Sequence, residues 1–393
     1  MSAKRDSTAS GASLPTDGGD GSAAAYRRVV IKAGTNLLTA GTDRLDLEVM
    51  AALVSQISKL VHQGIEVFLV SSGAIAAGRH SLGVTKDSKT SPSKSALAAV
   101  GQGRLVQAYE DLFRWHGITV AQALLTRGDL TDRGGYLNVR NTLLSLAELR
   151  VVTVINENDL VSLDEIMDDS FGDNDLLSAM VANLVDADML VILTDIDGLY
   201  TADPRVDPSA KLIPRVERVD DAIEKLAGAS RSERGSGGMT TKVRAAKLAT
   251  SWGVAVAIAG GRTPNVLLRL AVGESVGTFF PPGHAKTDSR KRWLLSGLSA
   301  RGEIVVDNGA AGALRTGGKS LLPAGVRDAR GDFQRGDIVT IQDASGRQVG
   351  YGIVNYDAAE VQAIKGAKSS RISELLGHSF GDEVVHRNNL VVL

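Results

Sequence analysis

Val151-Val152-Thr153-Val154-Ile155, an apolar and mostly β-branched run, breaks at once into Asn156-Glu157-Asn158-Asp159. Gly172-Asp173-Asn174-Asp175 follows, then a helical run from Leu176 to Val185, then a second apolar run from Met189 to Leu193. That second run ends in Thr194-Asp195-Ile196-Asp197-Gly198-Leu199-Tyr200. Strand, helix and strand in this order form the unit of a parallel sheet, whose strands are buried on both faces and read as continuous apolar runs. Ligands of such sheets bind just beyond the carboxyl ends of the strands. Both strand ends here discharge into carboxylates and amides, a spacing that solvation alone does not require. The stretch marks a binding site at that edge.

Upstream the alternation continues. Arg28-Val29-Val30-Ile31 is a strand that runs into Lys32-Ala33-Gly34-Thr35-Asn36. A lysine at a strand end followed by glycine suits phosphate, because the cation neutralises charge and glycine lets backbone N–H groups approach. Taken alone, the pattern reads more readily as a surface lysine before a turn. Leu47, Met50, Leu53, Val54, Ile57, Leu60 and Val61 share one stripe of an amphipathic helix, with Gly64 placed to end it. Glu66 to Val70 is the second strand, and Ser71-Ser72-Gly73-Ala74-Ile75-Ala76-Ala77-Gly78 opens a helix with small residues. Free N–H groups at such a start attract anions, while close helix–strand packing demands the same small residues; the sequence leaves both readings open. After a polar loop from Ser81 to Ser95, Ala96 to Trp115 reads as a long helix interrupted by Gly101 and Gly103. Ile118 to Leu125 is a strand, and Asp132 to Leu149 contains a further helix.

Downstream, Asp203-Pro204-Arg205 and Asp207-Pro208 mark a turn-rich excursion, followed by a short helix from Asp220 to Leu226. Arg234-Gly235-Ser236-Gly237-Gly238-Met239-Thr240-Thr241-Lys242 then leads into a helix. Glycines, hydroxyls and a lysine at a helix start make a phosphate site; a flexible loop would supply the glycines but would not require the lysine. Val254 to Ala259 is read as the last strand of this domain. Beyond Pro281-Pro282-Gly283 the pattern changes to short strands, Glu303 to Val306, Asp337 to Ile341 and Val349 to Val354, with one or two short helices. The expected fold is α/β, a mostly parallel sheet sandwiched between helices, plus a small β-rich domain. The boundaries drawn are a disordered tail over 1–25, a first domain over 26–280, a linker over 281–297 and the β-rich domain over 298–393.

Composition narrows the function. Forty-four Lys and Arg against 45 Asp and Glu give no general attraction to nucleic acid or anionic membrane. With no cysteine in the chain, disulfides, thiolate zinc sites and a cysteine nucleophile are excluded, which fits a reducing compartment. The six histidines have no metal-ligand spacing, and aromatics at 4% argue against base-stacking platforms. No apolar run reaches the ~18 residues that span a bilayer. No G-x-G-x-x-G is present, and Gly317-Gly318-Lys319-Ser320 imitates only the end of a phosphate loop, inside the β-rich region. Ser71 and Ser72 lack the G-x-S-x-G elbow of a hydrolase.

The ordered set Val30-Ile31-Lys32-Ala33-Gly34-Thr35, Val70-Ser71-Ser72-Gly73 to Gly78, Ile155 to Asp159, Phe171 to Asp175, Leu193-Thr194-Asp195 and Gly237-Gly238-Met239 resembles the amino-acid kinase family, and within it the glutamate-phosphorylating members. Ser320-Leu321-Leu322-Pro323-Ala324-Gly325-Val326 and Val385-His386-Arg387 resemble the PUA domain appended to many of them. Two departures stand out: Lys94-Ser95 replaces a usual Lys-Gln, and Ser236 replaces a usual threonine. The resemblance implies transfer of phosphate from ATP to the L-glutamate side chain, the first step toward proline. Lys32, Asp175 and Lys242 would be catalytic, Asp175 holding the two ammonium groups in place. Ser72, Asn156, Asp159, Asp173 and Asn174 would bind glutamate. Lys32, Gly34, Thr194, Asp195, Ser236, Gly237, Gly238, Met239, Thr240, Thr241 and Lys242 would hold ATP, with Mg2+ bridging phosphate oxygens on few protein ligands. It also implies a cytoplasmic homo-oligomer, inhibition by proline and coupling to a glutamyl phosphate reductase. The alternatives are another member of the family, with acetylglutamate, aspartate or a nucleotide as acceptor, and an RNA-binding PUA protein with a vestigial kinase domain.

Overall fold

The computed structural model describes residues 26–84, 92–131, 133–161, 174–229, 238–283, 300–316 and 319–392. The expected tail over 1–25 and most of the expected linker lie outside these residues. The first region alternates strand and helix: β1 (Arg28–Ala33), α1 (Thr35–Thr39), α2 (Leu47–His62), β2 (Glu66–Ser71), α3 (Ala74–Leu82), α4 (Lys94–Arg114), β3 (Val120–Leu125), α5 (Arg127–Thr131), α6 (Arg133–Glu148) and β4 (Val152–Glu157). It continues with α7 (Asn174–Leu184), β5 (Met189–Thr194), α8 (Asp221–Ala229), α9 (Met239–Ser251), β6 (Ala255–Gly260), α10 (Val266–Ala271) and β7 (Thr278–Phe280). The seven strands form one sheet in the order β3-β4-β2-β1-β5-β6-β7. Every pairing is parallel except β6 with β7, so the sheet is mostly parallel, as its apolar runs require. Val254 to Ala259 was not the last strand: short β7 folds back antiparallel along the sheet edge.

Side chains alternate across the strands and split the core in two. Val30, Phe68, Val70, Ile155, Leu190, Ile192 and Ile258 pack with α6, α7 and α9 on one face. Ile31, Leu69, Val154, Val191 and Ala257 pack with α2, α4 and α10 on the other. Lys32 shares the parity of Val30, so it faces α7 and α9.

Of the small residues after β2, Gly78 serves helix–helix contact, a role that neither of the two readings left open by the sequence included. A Cβ on Gly78 would meet the Leu97 carbonyl oxygen at 1.9 Å, and one on Gly101 the Ala74 carbonyl oxygen at 1.8 Å. α4 runs through Gly101 and Gly103 without interruption; Gly78 and Gly101 let α3 and α4 touch.

The second region forms a five-stranded sheet from β8 (Gly302–Val306), β9 (Val326–Gly331), β10 (Ile338–Asp343), β11 (Gln348–Ile353) and β12 (Leu390–Val392), in the order β12-β11-β10-β8-β9. Among the described residues three short α-helices, Asn308–Arg315, Ala358–Ile364 and Ile372–Leu376, accompany it, where the sequence indicated one or two. Its own core includes Ile304, Phe333, Ile341, Tyr356 and Val361. The two regions meet at α6, where fully buried Leu137 packs with Ile338, Ile353 and Val391.

Candidate active site

The carboxyl ends of β1, β2, β4 and β5 open into one cleft that faces solvent. Lys32 and Gly34 come from the end of β1, Ser72 follows β2, Asn156 and Asp159 come from the end of β4, and Thr194 and Asp195 from the end of β5. Asn174 reaches in from the start of α7 and Lys242 from the first turns of α9. Residues scattered over more than half the chain thus line one cleft.

Two lysines of the cleft share one carboxylate. Asp175, wholly buried, receives the Lys32 ammonium at 2.6 Å and the Lys242 ammonium at 3.0 Å. Thr241 Oγ1 donates to the same carboxylate at 2.8 Å. Burial pushes the Asp175 carboxyl up, but the Lys32 and Lys242 charges and the hydrogen bonds from Lys32 and Thr241 outweigh it and hold the group well below the usual carboxylate range. All three side chains are nearly inaccessible to solvent, and a buried ion cluster of this kind survives only with close geometry and added hydrogen bonds.

Amides form a second group. Asn174 Nδ2 donates to Ser72 Oγ at 2.8 Å and to Asn156 Oδ1 at 2.9 Å, while Asn156 Nδ2 donates to Gln102 Oε1 at 2.8 Å. Asn174 Oδ1 and Gln102 Nε2 remain buried with no hydrogen-bond partner. An unspent buried acceptor costs free energy unless a ligand donates to it.

Of the residues singled out in the sequence, Asp173, Ser236 and Gly237 lie outside the described residues. Gly238 precedes α9, and Thr241 serves Asp175. Met239 packs into the core and Thr240 Oγ1 donates to the Ala227 carbonyl; neither lines the cleft. Two supports went unread. Gln102 sits on the inner stripe of α4 with Ala98, Leu105 and Tyr109, and a lone amide in an apolar stripe was the available signal. Tyr109, buried on that stripe, shares a 2.9 Å hydrogen bond with Ser71 beside Ser72; burial raises its phenol well above the usual range, keeping it neutral.

A model of the amino acid kinase family matches residues 27–260, and a PUA domain model matches residues 302–376. A glutamate 5-kinase of Dehalococcoides mccartyi (strain CBDB1) is 55% identical over 368 residues, covering 94% of this chain and 99% of that protein. One from Herpetosiphon aurantiacus is 50% identical over 366 residues, 93% of this chain and 98% of its own length. One from Caldanaerobacter subterraneus is 48% identical over 366 residues, with the same two shares.

Proposed function

The chain belongs to the amino acid kinase family, and from that premise we propose that it phosphorylates the side-chain carboxylate of L-glutamate with ATP, giving L-glutamyl 5-phosphate and ADP, the step that opens proline biosynthesis. One observation carries the reading at the level of chemistry: two ammonium groups that line the cleft converge on a single carboxylate buried behind them.

Glutamate's side-chain carboxyl, with a pKa of about 4.3, is ionised at neutral pH, so attack needs no general base. A carboxylate oxygen bonds to the γ-phosphorus as the bond to the bridging β–γ oxygen breaks, and the electron pair leaves on ADP. The barrier then lies in bringing two anions together, and catalysis is alignment plus charge neutralisation. Lys32 and Lys242 supply the neutralisation. Asp175 keeps them from repelling one another and holds both Nζ atoms in register.

Asp159 and the unspent Asn174 Oδ1 suit the α-ammonium group of an amino acid. Ser72 and Asn156 offer polar contacts to its carboxylates. Thr194, Asp195 and the start of α9 form the nucleotide side.

Magnesium fits as an ion carried by the phosphates. Among the described residues no three potential metal ligands converge, and Mg2+ commonly keeps its waters and takes one or two carboxylates. Exposed Asp195 is one carboxylate of the cleft that would be open to it. When bound, the ion would neutralise phosphate charge. Inhibition by proline, self-assembly and hand-over to a reductase rest on family likeness.

The test is hydroxamate trapping with ATP, magnesium and a panel of acceptors. The expected product depends on both ATP and L-glutamate. Capture with N-acetylglutamate or aspartate, and none with glutamate, would overturn the assignment.

A further inference from the structure

Helix α7 carries Asn174 and Asp175 at one end; its other end is gripped by a buried cation. The Arg140 guanidinium, from the middle of α6, donates to the Leu184 carbonyl in the last turn of α7 and to Asp186 Oδ2 at 2.5 Å. Its Nε donates to Asn389 Oδ1 at 2.8 Å, and Asn389 belongs to the C-terminal region, one residue before β12. One side chain, itself almost wholly buried, therefore ties α6, the C-terminus of α7 and the second region together. A cation at a helix C-terminus also satisfies the carbonyls left over there.

Asp186 adds a second, independent sign. The chain leaves α7 by a 2.8 Å bond from Ala187 N–H to the Ala182 carbonyl and a 3.1 Å bond from Asp186 N–H to the Asn183 carbonyl, which puts Asp186 at φ 51°. Glycine is the less strained residue for that left-handed position. An aspartate there exchanges backbone ease for a carboxylate on Arg140. Between its ends α7 is buried on most sides, with Asp175, Ser178, Ala179, Val181, Ala182 and Leu184 inaccessible. An 11-residue helix is about 16 Å long and shifts as a rod more readily than it bends.

We infer that the C-terminal region braces the catalytic helix from behind, Arg140 being the positioning residue and Asn389 its contact in that region. The brace fixes where the Asp175 carboxylate stands, and with it the spacing of Lys32 and Lys242. It is not the helix's only anchor. Arg28 of β1 donates to the Val185 carbonyl, so losing Asn389 loosens α7 without releasing it.

The full-length protein is compared as parent, Asn389→Ala, Asn389→Asp and Arg140→Lys, by amide hydrogen exchange over residues 178–184 and by kcat. Asn389→Ala is expected to speed exchange in that segment and to lower kcat about three- to tenfold, with substrate KM values little changed. Asn389→Asp keeps the acceptor and should keep both. Arg140→Lys keeps the charge but cannot serve three acceptors in one plane, so it should behave like Asn389→Ala and stands in for it if that variant does not fold. Parental exchange and kcat in both loosened variants would overturn the brace, as would a lower melting temperature with kcat unchanged. The kcat arm rests on the proposed glutamate reaction. If the parent phosphorylates no glutamate, that reading fails, and the exchange arm alone decides the brace.

Discussion

Each region of the molecule contains a carboxylate gripped by two basic side chains, and the two clusters do different things. Asp175 is met by lysines that lie 143 and 67 positions away in the chain and are 4% and 7% exposed. Asp343 is met by Arg315 at 3.0 Å and Arg347 at 3.1 Å, which are 33% and 72% exposed. Ser345 Oγ and the backbone N–H groups of Ser345 and Arg347 complete the coordination of Asp343, so all its partners but Arg315 belong to one turn. Arginine forks suit closure of this kind, because they lock a planar carboxylate. Lysines are compact point charges on flexible stems, and the two on Asp175 also line a cleft. A carboxylate between two cations is a turn fastener in one region and a charge-spacing device in the other; the difference lies in what the cations face.

The comparison breaks most sharply at turnover. Lys32→Ala and Lys242→Ala should each lower kcat on the order of 10²–10³-fold, the usual loss when one stabiliser of transition-state charge is removed, while the circular dichroism spectrum stays that of the parent. Asp343→Ala should leave kcat unchanged. If either lysine variant kept parental turnover at saturating glutamate, the two clusters would be functionally alike. Asp159→Asn probes the substrate end. It should raise the glutamate KM about tenfold or more, the worth of a hydrogen bond to a charged group, with the ATP KM unmoved. Equal shifts in both constants would place Asp159 elsewhere.

Why Asp175 was legible and Arg140 was not follows from how each signal is written. A polar residue at the end of an apolar strand is visible locally, and the parallel sheet gathers such ends on one edge; Asn156, Thr194 and Asp195 came together for that reason, whereas Lys32 alone read as a surface lysine and took its role from the family resemblance. Lys242 announced itself as a lysine at a glycine-rich helix start; Asp175 stood among the carboxylates and amides beyond the strand, and its role between the lysines came from the family resemblance. The antiparallel turn-back of β7 left only three residues of pattern, too short a run to show a period. Gly101 read as a helix breaker because its reason, a carbonyl of another helix pressing on it, lies outside its own neighbourhood. Gln102 and Arg140 failed likewise: an amide or guanidinium among apolar neighbours looks like a surface residue until the elements that enclose it are known. Arg140 and Asn389 lie 249 positions apart in the chain, a pairing no local pattern encodes.

The smallest expected effect concerns acid. Both carboxyls are depressed in the folded protein, Asp175 chiefly by its lysines against the opposing effect of burial, Asp343 first by the Ser345 hydroxyl and then by Arg315 and Arg347. A depressed carboxyl contributes stability that is complete above its ordinary value of 3.8 and is lost as pH falls from there through the folded value. Melting temperature should therefore decline below pH 3.8, and Asp175→Asn and Asp343→Asn should each start lower and decline less steeply. Salt separates the two. At about 1 M the screening length falls to about 3 Å for exposed charges, while buried pairs are screened far less. Added salt should weaken the share of the Asp343 contribution that its exposed arginines supply and leave the Asp175 contribution as it was. An equal response to salt in the two variants would mean that water reaches the lysine cluster as freely as it reaches the turn, and the cleft would then lack the dry charge that phosphoryl transfer requires.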